Sequence, residues 1–492
     1  MHKSRLPVLR LALLTFFAML VHGYHLGVDD AEIYIPGIKK AADSDLYPFG
    51  SQFFMSHANL SLFSNLVGDF TRISLLPVNF VIFFFHLAGI FLLLLAAWRL
   101  LSVCFSSDTT RWGGVVLLSM VLTVPVAGTA LVIMDPYLTA RSLSTPFTLL
   151  AISCYFTGKP RQALMWLLAT ATVHPQMSFY GAVFLACLAF ARRYELARER
   201  AALSGTASVL AFAFLFEFAP ATGAAREVLF SRTYFFLTNW TWYEWFGIFA
   251  PLMLAWWLTS RNLRGTTPVF RLALRTVVPF GVLFTAAGLL LTFTPRLENF
   301  TRLQPMRSFH LVYVIFFLML GGLIAEYALR CKVWRWVGLF TPLALSMFFV
   351  QRSSYASSSH IEWPGVADRN RWNNAFVWVR DHTPKDAVFA LDPDYMARSG
   401  EDFQGFRAIS ERSALADNIK DSGAVSLFPQ LAGEWKREVN AQRGLAKFRR
   451  ADFENLARHY PVTWIVTRRP APAGVTCLYE NQEIAVCRVA AN

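Results

Sequence analysis

Three short stretches of this sequence hold residue types that can do chemistry together. In 28-VDDAEIYIP-36 an acidic pair, Asp29 and Asp30, is followed by Glu32. A carboxylate held beside an acceptor hydroxyl can take its proton. In 302-RLQPMRSFH-310 the side chains of Arg302, Gln304, Arg307 and His310 offer polar groups at close spacing, and in 135-DPYLTARS-142 Arg141 follows Asp135. A guanidinium makes paired hydrogen bonds to phosphate oxygens, so these arginines suit an anionic ligand. His22, His25 and Asp29 stand at i, i+3 and i+7; on one helix face, with Asp30, they could hold a divalent ion. Histidines settled at an interface are the competing explanation.

The elements that must position these groups are membrane helices. Of 492 residues, 55% are hydrophobic and 16% charged, whereas a soluble chain carries about 25% charged residues. Apolar stretches near 6–24, 76–98, 113–134, 143–157, 162–173, 177–190, 201–219, 245–259, 276–294, 311–328 and 337–350 read as eleven spans. The first lacks a small-x-small cleavage pattern in 20-LVHGYHL-26, so a retained helix is expected. The formal charge of +14 suggests nucleic acid until it is divided. Residues 351–492 hold 19 basic and 17 acidic residues, leaving 27 and 15 for residues 1–350. With the N-terminus inside, the inward segments collect 18 of those 27 and the outward ones 9. That asymmetry fixes orientation, places residues 351–492 outside, and excludes a nucleic-acid partner. The segments at 143–157 and 162–173 are short for a bilayer, and the second ends at His174-Pro175-Gln176. A polar break of this kind is tolerated only inside protein or at a wet cavity, here opening outward.

The first outer connection, residues 25–75, contains Phe63, Leu66, Val67 and Phe70 at helical spacing beside Asn65, Asp69 and Arg72. This is an amphipathic helix suited to the membrane interface. Orientation cannot account for the outward Arg141, Arg226, Arg232, Arg296, Arg302 and Arg307. Singly, each reads as an arginine snorkelling to lipid phosphate; as a set they favour an anion at the outer cavity, lined also by Glu32, Asp135, His174 and Gln304.

Residues 351–364 include the Ser-rich run 353-SSYASSSH-360, read as a linker, and 365–492 read as an extracytoplasmic α/β domain. Helices near 370–382 and 452–460, strands at 387–391 and 462–466, and a terminal hairpin, 476-TCLYENQEIAVCRV-489, are expected. The hairpin would bring Cys477 opposite Cys487, allowing a structural disulfide. The stretch 403-FQGFRAISERSALADNIKD-421 could reach the cavity, although most of it reads as solvated surface. No P-loop, dinucleotide fingerprint, GxSxG or HExxH is present.

An acidic pair after the first span, a long outer loop with an interfacial helix, eleven spans and an outer C-terminal domain together resemble the GT-C superfamily of membrane glycosyltransferases. The resemblance is carried in residues by 28-VDDAEIYIP-36 and more loosely by 173-VHPQ-176 and 302-RLQPMRSFH-310. It is nearest to bacterial members without an assigned reaction. It implies a polyprenyl-phosphate-linked sugar donor, transferred with inversion to a glycan, lipid or protein acceptor hydroxyl at the outer face. Asp29, with Asp30 next, would be the base. Arg302 and Arg307, assisted by Arg141 or His310, would bind the donor phosphate. No cofactor is certain, and a divalent metal is possible. A bacterial inner membrane is expected, with a cytoplasmic N-terminus and a periplasmic C-terminal domain. A lipid-linked glycan transporter or flippase would use the arginines without the carboxylates, and a catalytically silent member would bind lipid or partner alone.

Overall fold

The computed structural model describes residues 7–196, 221–398 and 401–489. The segment at 201–219 expected to span lies outside these residues. Among the described residues, four helical stretches are long and apolar enough to cross a membrane: Val78–Cys104, Pro268–Phe293, Pro295–Leu329 and Val333–Ser354. At about 1.5 Å per residue each exceeds the roughly 30 Å of hydrocarbon. Shorter helices accompany them: Val8–His22, Arg141–Phe156 and Pro160–Val173. Large apolar side chains point outward from these helices, including Leu9, Leu13, Phe84, Leu168, Leu345 and Phe349. Such surfaces need lipid as their solvent, and the chain is a membrane protein. Inside the bundle, helix Asp108–Met120 packs tightly on Phe309–Ile324. A Cβ on Gly113 would stand 2.5 Å from the Gly321 carbonyl oxygen. Small residues allow this approach, which supplies helix contacts where no hydrophobic drive separates helix from lipid.

One expected span is corrected. The apolar stretch 113–134 is helical only to Met120, and residues 121–140 run irregularly. Pro125, Gly128 and Pro136 interrupt any helix there. The irregular backbone is mostly buried in protein, and several of its polar groups are paired. Met134 N–H donates to the Leu122 carbonyl (2.7 Å), and Val126 N–H donates to that of Leu131 (2.8 Å). That is the condition under which non-helical backbone survives at membrane depth.

The expected amphipathic helix is Phe63–Ser74. Phe63 and Val67 turn inward onto helix Ala31–Ala42, while Leu66, Phe70 and Ile73 are exposed.

The C-terminal domain is built on a five-stranded mixed sheet of order β2-β1-β3-β5-β4. The strands are β1 (Val388–Ala390), β2 (Ser413–Ala414), β3 (Trp464–Arg468), β4 (Thr476–Glu480) and β5 (Ile484–Arg488). β1 runs parallel to β2 and β3, and β3–β5–β4 are antiparallel. Side chains alternate between faces as a strand requires. Phe389, Trp464, Val466, Ile484 and Val486 pack on one side with helix Arg371–His382. Val388, Ala390, Ile465, Ala485 and Cys487 pack on the other with Phe453 and Leu456. Cys477 and Cys487 face each other across β4 and β5 and are disulfide-linked.

The stretch expected as a linker is built into the structure. Helix Val333–Ser354 covers its start. Ser358 is buried, and its hydroxyl donates to Asp402 Oδ2 at 2.7 Å while accepting from Asn370 and Gln404. Serine suits this role because one hydroxyl both donates and accepts. The domain therefore sits directly on residues 25–75, the connection expected to be the first outer one. Tyr24 bridges Ile361, and Glu362 accepts from the Leu26 N–H at 2.9 Å.

Candidate functional site

Helix Val8–His22 stops at Gly23, whose φ of 76° suits glycine. The chain then pairs with the C-terminal domain. Gly405 N–H donates to the Gly27 carbonyl at 2.7 Å, and Asp29 N–H donates to that of Phe403 at 2.9 Å. This bridge holds Asp29 in the left-handed region, φ 53°. Asp30 is the residue before helix Ala31–Ala42, but its side chain caps no backbone N–H. Both carboxylates line a polar chamber of about 180 Å³.

Four cations surround the pair. Lys420, at the start of helix Asp421–Leu427 in the C-terminal domain, donates from one ammonium to Asp29 Oδ1 and to Asp30 Oδ1, the latter at 3.0 Å. Arg141 begins helix Arg141–Phe156; its guanidinium lies 2.7 Å from Asp135 Oδ2 and 3.9 Å from Asp30 Oδ2. Arg232 donates to the Ile419 carbonyl (2.7 Å) and to Ser422 Oγ. Arg307 comes from the turn Pro305–Ser308. The Nε of Arg141, Arg232 and Arg307 is buried and finds no hydrogen-bond partner among the described residues. Tyr137 Oη donates to Asp29 Oδ2 at 3.1 Å.

These charges set protonation. Burial works against the Asp30 carboxylate, but Lys420 and then Arg141 outweigh it and hold Asp30 well below its ordinary value. Burial likewise opposes the Lys420 charge, and Asp29 and Asp30 hold it above the ordinary lysine value. Burial draws His57 down to about 4, so its imidazole is neutral near pH 7.

A second cavity of about 600 Å³ adjoins the chamber and is mostly apolar. Its walls include Leu60, Val173, Phe179, Phe284, Leu291 and Pro305. Tyr34, His57, Gln304, Arg307 and Leu427 line both spaces. Gln304 adopts a left-handed φ of 51°, and its Oε1 is buried without a hydrogen-bond partner among the described residues. His174 and Arg302 line only the apolar cavity of these two, and Arg302 donates to Asn299 Oδ1 at 2.6 Å.

The residues singled out from sequence thus divide. Asp29, Asp30, Arg141, Arg307 and Gln304 converge on the chamber, with Arg302 and His174 on the adjoining apolar wall. Three lie elsewhere. Glu32 is buried and accepts the N–H groups of Arg407 (2.9 Å) and Ala408 (2.8 Å), because helix Ala31–Ala42 turns it away from Asp30 and toward the C-terminal domain. Asp135 stands behind Arg141, accepting also from Thr139 at 3.1 Å. His310 is buried against the Ile133 carbonyl at 2.8 Å, as helix Phe309–Ile324 points it at the irregular segment.

The possible metal set does not form. His22 is hydrogen-bonded to Thr123 (2.8 Å) and Ser119 (3.0 Å), and His25 to Glu362 (2.9 Å). Helix Val8–His22 ends between the two histidines, so the assumed single face does not exist. Among the described residues no group of three or more His, Cys, Asp or Glu could hold a metal ion, and an ammonium lies between the two chamber carboxylates. A divalent ion does not fit this arrangement.

Among the charged and histidine residues of the chamber, Lys420 and His57 have no role assigned from the sequence. Lys420 belongs to the charged 403–421 stretch that could reach the cavity, and it does so. The expectation that most of this stretch is solvated is corrected: Arg407, Arg412, Asp417 and Asp421 are buried. Arg232 is visible in the sequence as an outward arginine. His57 carries no sequence signal, being one histidine in a mixed segment.

No protein-family model and no curated sequence matches the chain. Among solved structures, the chain is similar to that of the arabinofuranosyltransferase AftD from mycobacteria, with TM-score 0.48 and 13% identity. The likeness covers 99% of this chain and 40% of that one, so the chain spans two fifths of the length of its structural neighbour.

Proposed function

We propose that this protein is a membrane glycosyltransferase that moves a sugar from a polyprenyl-phosphate donor to an acceptor hydroxyl at the outer face of a bacterial inner membrane. The observation that carries the reading is the pair of joined spaces. A polar chamber with two carboxylates shares Arg307, Gln304 and His57 with a larger, mostly apolar cavity. An amphiphile with a charged head and a hydrocarbon tail matches that division.

The donor phosphate sits at the shared wall, where Arg307 has an unused guanidinium N–H group and faces the chamber that Arg141, with its own unpaired Nε, also lines. The tail fills the apolar cavity, flanked by Arg302 and His174. The acceptor oxygen attacks the anomeric carbon from the side opposite the phosphate. The bond from that carbon to the phosphate oxygen breaks, and its electron pair leaves with polyprenyl phosphate. Asp29 receives the acceptor proton. Asp30, held ionised, keeps Lys420 and Arg141 in place. The charge that develops on the phosphate meets cations already oriented, which is where electrostatic stabilisation is largest. The N-terminus then lies in the cytoplasm and the C-terminal domain in the periplasm.

The test is lipid retention followed by turnover. Native mass spectrometry of the detergent-solubilised protein should show polyprenyl phosphate retained in preference to polyprenol, and Arg307→Ala should lose that preference at least tenfold. Equal retention of the two lipids defeats the reading. With a panel of polyprenyl-phosphate sugars, Asp29→Asn/Asp30→Asn should retain lipid yet release no polyprenyl phosphate. Transfer persisting in that double variant removes the base assignment.

A further inference from the structure

The Lys420 ammonium occupies the position between two carboxylates where a divalent cation would otherwise be held. We infer that Lys420 is the built-in counter-cation of the acid pair: a positioning residue, supplied by the C-terminal domain, that takes the place of a metal ion and makes that domain an obligatory part of the chamber. The inference rests on the reading of Asp29 and Asp30 as the reacting acids only for its consequence in catalysis.

The placement is braced from several sides. Asp421, the next residue, accepts from the Arg407 guanidinium at 2.7 and 3.0 Å. Arg407 in turn lies 3.7 Å from Glu32, which also accepts the N–H groups of Arg407 and Ala408. Glu32 is two residues from Asp30 on helix Ala31–Ala42. A closed ring therefore runs Asp30, Glu32, Arg407, Asp421, Lys420 and back to Asp30. Arg232 grips the same turn through Ile419 and Ser422. Lys420 is thus fixed by contacts made on both residues 25–75 and the connection that precedes helix Trp242–Thr259. The Lys420 side chain is only 12% exposed, so its charge is worth more to the pair than an exposed lysine's would be.

Electrostatics dictates the effect of removing it. Two adjacent carboxylates that lose their ammonium must take up protons or another cation. Lys420→Met keeps the length of the side chain and deletes the charge. The purified variant should bind one equivalent of Mn²⁺, read by loss of the free-ion paramagnetic resonance signal, with at least tenfold tighter affinity than the parent protein. Lys420→Arg, which retains a cation, should stay at the parent level. A Lys420→Met protein that melts like the parent yet gains no Mn²⁺ affinity overturns the inference. A second measurement covers a variant that does not fold. In Asp29→Asn/Asp30→Asn, which is near-isosteric, Lys420 loses its anions and burial should lower its proton affinity. Acetic anhydride at pH 9 should then acetylate Lys420 at least tenfold faster than in the parent, by peptide mass spectrometry. Equal labelling also overturns the inference. Neither readout requires sugar transfer, so failure of the proposed function and failure of this inference are told apart.

Discussion

Glu32 and Asp30 stand two residues apart and are opposite in their protonation. Burial pushes Glu32 up to about 8, and Arg407 with two backbone N–H groups only partly offsets it. A raised acid adds stability that is complete below its unfolded value of 4.5 and is lost as pH rises toward about 8. Within that window one such group changes stability by at most ~1.4 kcal/mol per pH unit. Asp30 has the opposite sign: its contribution is present above 3.8 and is lost as pH falls toward its depressed folded value. Glu32→Gln removes the first titration, and its amide NH₂, which cannot accept, must face a backbone N–H that a carboxyl oxygen faced. We expect the variant to melt below the parent at pH 5, with the deficit shrinking by pH 8.5; an equal deficit at both would show that Glu32 does not titrate in this range. At this scale the sequence was legible where charge type alone decides, as with Arg141 and Arg307, which line the chamber. It was not legible for Glu32, because which side of a helix faces the chamber depends on a domain nearly four hundred residues away.

Among the elements, the contact between the first outer connection and the C-terminal domain depends on one small residue. A Cβ at Gly405 would lie 2.3 Å from Glu32 Oε2 and 2.8 Å from Glu32 Cβ, while the Gly405 N–H is held by the Gly27 carbonyl. Backbone and side chain are both committed, so neither can move aside cheaply. Gly405→Ala should displace Glu32 from the Arg407 and Ala408 N–H groups, leaving buried donors unpaired at a cost of about 1–3 kcal/mol each. A lower melting temperature and faster proteolytic cleavage between residues 20 and 60 are the expected signs, and an unchanged melting curve would show the contact to be dispensable. The sheet offers a comparison. Phe389→Ala should cost about 3–5 kcal/mol by emptying a site against Phe406 and Trp464, measurable by the same melts. Strands β1, β3 and the terminal hairpin were readable from alternation and β-branched residues. The bend at 121–140 and the built-in serine run were not, because hydropathy records apolarity and not whether a helix or a buried loop carries it.

For the whole molecule, the long helices separate two chemically different ends. One end holds the chamber, the first outer connection and the C-terminal domain. At the other, the connections after Val78–Cys104, before Pro268–Phe293 and after Phe309–Ile324 are tied together. Ser106 N–H donates to the Gly265 carbonyl at 3.0 Å, Thr267 N–H to that of Cys104 at 3.0 Å, and Arg264 N–H to Tyr327 Oη at 2.6 Å. Arg111, Arg261, Arg264, Arg330, Lys332 and Arg335 collect there, on the end away from the acid pair. Basic residues in short connections stay on the cytoplasmic side, whereas a disulfide such as Cys477–Cys487 persists in an oxidising compartment. Both signals support the orientation proposed above, and Cys331, exposed among the basic residues, is placed to test it. In a chain with Cys104, Cys154 and Cys187 replaced by serine, a membrane-impermeant maleimide should leave Cys331 unlabelled in intact spheroplasts and modify it once the membrane is permeabilised. Labelling in intact spheroplasts would invert the molecule, put the chamber in the cytoplasm, and leave a donor sugar at the outer face out of reach.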